Sequence, residues 1–145
     1  MEELEIKLKE QGKISRLTNK TFKFDPRIKD GYYSANYFLK TREIVKEQLP
    51  GHIVEEQWFQ RTKDAMACGI DEAIAILHTF SDHPEDLKIY ALNDGDLITE
   101  NEPVLKVFGR YEDFGYLESV IDGILSRRTS VATNVMRVVR ALRGT

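Results

Sequence analysis

Cysteine is nearly absent from this sequence: Cys68 stands alone in 145 residues. One thiol cannot close an internal disulfide, which excludes the small disulfide-stapled secreted scaffolds and places the expected home of the chain in a reducing compartment. No apolar run approaches the ~20 residues that a membrane-spanning helix needs. The first residues, Met1-Glu2-Glu3-Leu4-Glu5, lack the basic-then-apolar layout of a secretion signal, so a cytoplasmic location is the expectation. Charge of one sign is also lacking. A net charge of -3 gives no footprint for a polyanion, and nucleic acid is not an expected partner. There is no glycine-rich phosphate loop. His52, His78 and His83 do not fall at metal-ligand spacing with Cys68, and no nucleophile, base and orienting acid form a triad. Residue chemistry alone therefore reveals no complete active site.

What is present is enough apolar material for a core. The sequence is 41% hydrophobic and 31% charged, and its length suits one ordinary domain. Residues 1–20 are charged and weakly patterned; Leu4, Ile6 and Leu8 alternate like a strand, but a helical arm fits as well. This stretch is set apart as an extension, and residues 21–145 form the domain. Between 21 and 33, Asp25-Pro26 and Asp30-Gly31 break regular structure and leave an ordered loop rich in aromatics. Ser34 is a candidate N-cap. Tyr37, Phe38, Thr41, Ile44 and Val45 then follow the spacing of an amphipathic helix, which Pro50-Gly51 ends.

His52 to Arg61 reads as a strand with Ile53, Val54, Trp58 and Phe59 as its apolar members. Asp64 is a candidate cap for a helix whose buried stripe is Ile70, Ala73, Ile74 and Leu77. Strands follow at 87–92 and 104–108, with a tight turn at Asn93-Asp94-Gly95-Asp96 and a short strand at Leu97-Ile98. From about Phe114 a helical period persists through Leu117, Val120, Ile121, Ile124, Val131, Val135, Val138 and Leu142. Gly123 and Thr129-Ser130 are possible interruptions, and Gly144 suits a helix C-terminus. The order predicts an α+β domain, a small mixed or antiparallel sheet with helices on one face.

Several blocks carry a family resemblance. Asp30-Gly31-Tyr32, with Tyr37 five positions later, resembles the N-terminal motif of nicotinate phosphoribosyltransferases. Gln57-Trp58-Phe59-Gln60-Arg61 resembles that family's strand ending in Arg, and Cys68-Gly69-Ile70-Asp71-Glu72-Ala73 its next helix. Asp94-Gly95-Asp96 with Glu102-Pro103-Val104-Leu105-Lys106-Val107 and Gly109 resembles its hairpin. Tyr116-Leu117-Glu118 and Thr129-Ser130-Val131-Ala132-Thr133 resemble its linking helix. The likeness runs from about residue 14 to 142. It implies a hammerhead-like N-terminal domain that sits beside an irregular eight-stranded barrel. Family members join nicotinate to phosphoribosyl pyrophosphate, driven by ATP through a phosphorylated histidine, with Mg2+ implied. They form head-to-tail dimers in which this domain closes the partner's active site. The barrel and its catalytic histidine have no counterpart in these 145 residues, so no catalytic residue and no cofactor site are expected here.

The resemblance assigns candidate substrate contacts to Tyr32, Asp30, Arg61 and Thr133. Tyr32 would stack on the pyridine ring; otherwise it fills a local core. Asp30 would orient the loop or approach the base; otherwise it is a turn residue before Gly31. Arg61 would reach the phosphates of the donor, for which a guanidinium fork is suited; otherwise it is a solvated strand end. Thr129, Ser130 and Thr133 would meet substrate or, the favoured reading, bond to backbone inside the helix. Arg42 is expected in solvent, and Cys68 as a small buried apolar residue. Arg127, Arg128, Arg137, Arg140 and Arg143 give the last helix a basic end.

Two classes of function compete. One is a substrate-capping domain that needs a barrel, with nicotinate, nicotinamide or quinolinate as the base. The other is an interaction module whose long helix exposes an apolar stripe and drives self-association or partner binding.

Overall fold

The computed structural model of the chain describes residues 16–144. The alternation of Leu4, Ile6 and Leu8, with most of the proposed extension, lies outside the described residues. The elements are α1 (Asn36–Gln48), β1 (Ile53–Trp58), β2 (Ala65–Met66), α2 (Ile70–Phe80), β3 (Lys88–Ala91), β4 (Leu97–Ile98), β5 (Leu105–Arg110), α3 (Tyr111–Phe114) and α4 (Glu118–Leu142). Short 3-10 turns lie at Asn19–Thr21, Pro26–Ile28, Pro84–Asp86 and Gly115–Leu117.

β1, β5 and β3 form an antiparallel sheet in the order β1-β5-β3, and β2 pairs with β4. Register sets the two faces. Glu56 opposes Val107 and Trp58 opposes Leu105; Ile89 and Ala91 oppose the same two residues from β3. In β5, Leu105, Val107 and Gly109 are buried while Lys106, Phe108 and Arg110 are only partly covered, the period-two pattern of a sheet with one core face. One hydrophobic cluster joins this face to α2, to the 114–117 segment and to the start of α4, with Phe114, Tyr116, Leu117 and Ile121 fully buried. Each such side chain contributes about 1.5–3 kcal/mol through burial. This is the α+β arrangement that the order of elements predicts.

α2 is buried at eight of its eleven positions. Its start differs from the expectation. Asp64 does not cap it; it holds a left-handed conformation just before β2. The helix begins at Ile70, whose N–H is accepted by Asp94 Oδ1 at 2.8 Å, so the cap comes from the β3–β4 turn. Gly69, the residue before it, has φ +92° and lies against α4. A Cβ there would come within 3.0–3.1 Å of Arg128 and Ile124, so glycine is required both by the backbone and by the close approach.

α1 is also rotated from its expected setting. Phe38, Leu39, Arg42 and Val45 turn inward, while Tyr37 and Ile44 stay 63% and 59% exposed. Ser34 does not cap the helix. Its Oγ donates to the Tyr116 carbonyl at 2.5 Å, and Ser119 Oγ accepts from the Ala35 N–H at 3.0 Å. Neither Gly123 nor Thr129-Ser130 interrupts α4, which runs unbroken for 25 residues. Gly144 follows it with φ +69°, the left-handed residue that often ends a helix.

Candidate functional site

α4 separates two cavities that share no lining residue. The first, of about 560 Å³, lies between the end of β1, the β2–β4 pair and α4. Its apolar wall includes Trp58, Phe59 and Val104. Its polar wall is one face of α4: Ser126, Ser130, Asn134 and Arg137 recur at helical spacing. Asp122 also lines it and accepts the Trp58 Nε1–H at 2.8 Å. Burial raises the pKa of Asp122, and the indole bond opposes that rise.

The second cavity, of about 860 Å³, lies on the other side of α4 against the 25–33 loop. Ile28, Val120, Ile124 and Val131 give it an apolar floor, and Tyr33, Arg127 and Arg128 stand around it. Arg128 is paired with Glu72. Cys68 also lines this cavity; it is half-buried rather than fully buried, and burial pushes its thiol up, away from the reactive thiolate.

The 25–33 loop is organised by Asp25. Its carboxylate accepts from the Arg27 N–H at 3.0 Å, from the Arg27 guanidinium and from the Tyr33 hydroxyl at 2.5 Å. Those bonds hold Asp25 well below the usual carboxylate range. The Arg27 guanidinium in turn lies 4.4 Å from the centre of the Tyr32 ring, a cation–π contact. Tyr33 meets Tyr32 edge to face at 4.9 Å.

The sequence candidates are distributed over this frame. Tyr32 is 66% exposed, an aromatic surface pre-set by Arg27. Asp30 is exposed before Gly31, and its N–H donates to the Arg27 carbonyl at 3.1 Å. Arg61 lies beyond β1, which ends at Trp58, next to Gln60 and Thr62 of the first cavity. It is exposed and makes no hydrogen bond or ion pair among the described residues. Thr133 is 5% exposed, lines the first cavity and accepts the Met66 N–H at 3.0 Å, a bond between elements rather than within α4. The loop of Tyr32 and Asp30 adjoins one side of α4, while Thr133 and the neighbours of Arg61 line the other.

Arg42 departs from its expected solvated role. Its Nε donates to the Glu112 carbonyl at 2.9 Å, its terminal nitrogen to Asp82 at 2.6 Å, and its guanidinium sits 4.2 Å from the centre of the Tyr116 ring. Sequence reasoning also passed over Asn134 and Arg137 as cavity residues. Their signal was the four-residue polar recurrence on α4 from Ser126, which the apolar period of the same helix masks. Only His83, Glu85 and Asp86 bring three metal-ligand atoms together among the described residues; all are exposed and none lines either cavity.

The family profile described as quinolinate phosphoribosyl transferase, N-terminal domain, matches residues 36–129, well over half of the chain. The chain belongs to this family. The domain's fold is similar to part of two crystal structures. One is nicotinate-nucleotide pyrophosphorylase from Pyrococcus furiosus, with a TM-score of 0.61 and 24% identity over 77% of this chain and 28% of that one. The other is human nicotinic acid phosphoribosyltransferase, with a TM-score of 0.63 and 20% identity over 77% of this chain and 29% of that one. The chain thus spans less than a third of either protein. No curated protein sequence matches it significantly. The family match covers α1 to the first half of α4, so it contains Arg61 and part of the first cavity but ends before Thr133, and Tyr32 and Asp30 precede it.

Proposed function

We propose that this chain is the substrate-capping domain of a nicotinate phosphoribosyltransferase, completing an active site that a barrel supplies. The observation that supports this most is the far half of α4. Val131, Val135, Val138 and Leu142 recur along it and stay 55%, 56%, 58% and 82% exposed. A stripe of that kind on a family N-terminal domain is suited to being covered by another body. The hydroxyls, amide and guanidinium of the first cavity lie on the same helix.

In this reading Tyr32 offers its ring to the pyridine base, Asp30 sets the loop, and Arg61 and Thr133 approach the phosphoribosyl donor. The Arg61 guanidinium supports its part, since a fork that makes no ion pair or hydrogen bond among the described residues is available to a phosphate. ATP and Mg2+ belong to the barrel in this account. The barrel is reached in the same polypeptide, in a partner subunit, or in a homo-oligomer that pairs the domain of one chain with the barrel of another.

The test is formation of nicotinate mononucleotide from nicotinate and phosphoribosyl pyrophosphate when this chain is combined with a cognate barrel. Quinolinate and nicotinamide serve as competing substrates. The exposed stripe also favours a second reading, a self-associating interaction module. A chain that is strictly monomeric at high concentration and binds no barrel contradicts both.

A further inference from the structure

Glu56 sits where a strand residue of the core face should be apolar. Its register partner is Val107, and its neighbours on the same face of β1 are Val54 and Trp58. The cations of this sheet are turned the other way. Lys106 opposes Gln57 on the outer face and pairs with Glu55 at 3.3 Å, and Arg110 pairs with Asp113 at 2.9 Å. Glu56 Oε2 is buried and has no hydrogen-bond partner among the described residues. What faces it instead is more negative charge. Glu118 and Asp122 lie one turn apart at the start of α4, and both act on Glu56. From α3, the Tyr111 hydroxyl completes the set. The direct bond across this seam is Trp58 to Asp122 at 2.8 Å.

A buried carboxyl oxygen without a partner among the described residues, with two more acids on the first turns of the helix across from it, ionises only at a cost. We propose that Glu56, Glu118 and Asp122 form a proton-held seam between β1 and α4, a pH-responsive latch that loosens the helix from the sheet when its protons leave. This does not depend on the enzymatic reading, although Trp58 and Asp122 also line the first cavity and would carry the change to it.

The direction follows from burial first and the neighbouring carboxylates second. Together they raise Glu56 from 4.5 to about 8; burial and then Asp122 raise Glu118, and burial alone raises Asp122 against the Trp58 bond. A group raised in the folded state holds its stabilising proton fully below its unfolded value. The contribution of the Glu56 proton to stability therefore declines as pH climbs above 4.5 and is gone once pH passes about 8.

The sequence has one tryptophan, Trp58, so its emission reports the seam without labelling. The experiment records Trp58 fluorescence and the thermal midpoint of the chain between about pH 5 and pH 9. The wild type is expected to show a transition in emission near pH 8, with the midpoint falling as pH rises from about 5 and levelling off above pH 8. Glu56→Gln, which keeps the shape of the protonated acid, is expected to remove that transition. Glu118→Gln is expected to move it to lower pH by relieving repulsion, and it decides the matter if Glu56→Gln does not fold. A flat wild-type profile, a Glu56→Gln chain with the wild-type transition, or an unmoved midpoint in Glu118→Gln would each overturn the latch.

Discussion

The Thr129 hydroxyl accepts the Cys68 backbone N–H and donates to the Cys68 carbonyl, both at 3.1 Å. One α4 side chain thus satisfies both main-chain groups of the residue that leads into α2. Four residues on, Thr133 does similar work for the Met66 N–H. Thr129→Val leaves both Cys68 groups without these partners and is expected to destabilise the chain by about 1–3 kcal/mol. Thr129→Ser should cost much less. Denaturant unfolding of the two variants distinguishes a hydroxyl that holds the fold from one that waits for substrate.

Asp71 anchors the N-terminal end of the described chain. Its carboxylate takes the Arg16 guanidinium at 2.8 Å and the Leu17 N–H at 2.9 Å, and both charged side chains are only 10% exposed. Without Asp71 the largely buried Arg16 charge keeps only the Ala91 and Leu92 carbonyls, so Asp71→Ala is expected to cost about 3 kcal/mol. A double-mutant cycle with Arg16→Ala should recover a large coupling energy.

Arg42 joins α1 to the Asp82 and Glu112 segments while covering Tyr116. Arg42→Lys keeps the charge but loses the fork and the flat contact. It is expected to lose about 1–2 kcal/mol, measured by thermal unfolding.

Val135→Asp tests the exposed stripe. Because Val135 is 56% exposed, the change should alter the stability of the chain by no more than about 0.5 kcal/mol. Its effect should appear in association instead: sedimentation or calorimetry with a barrel, or of the chain with itself, is expected to show weaker binding.

Much of this fold was legible because the apolar period is strong where burial is strong. Ile70, Ala73, Ile74 and Leu77 announced α2, and Leu117 and Ile121 sit where α4 meets the core. What escaped were choices made by distant partners. Asp64 precedes α2 and has the right chemistry for a cap, yet Asp94 provides it from across the β3–β4 turn. Tyr37 and Ile44 have the right spacing for a core stripe, but the face holding Phe38 and Arg42 is the one that finds Tyr116 and Asp82. The candidate site was only partly legible for the same reason. Tyr32 and Arg61 stand out by type and motif, while Asn134 and Arg137 become notable only once α4 is seen to wall a cavity. Glu56 looks like a surface acid until strand register turns it inward.

The central claim is that this domain closes a phosphoribosyltransferase active site, and product formation tests it most directly. Nicotinate mononucleotide is measured after the chain is combined with a cognate barrel, with wild-type, Tyr32→Ala and Arg61→Ala versions compared. The account predicts product with the wild type and a loss of about tenfold or more with each variant, with folding unchanged because both side chains are exposed. A wild-type chain that binds the barrel without yielding product, or variants as active as the wild type, would contradict it.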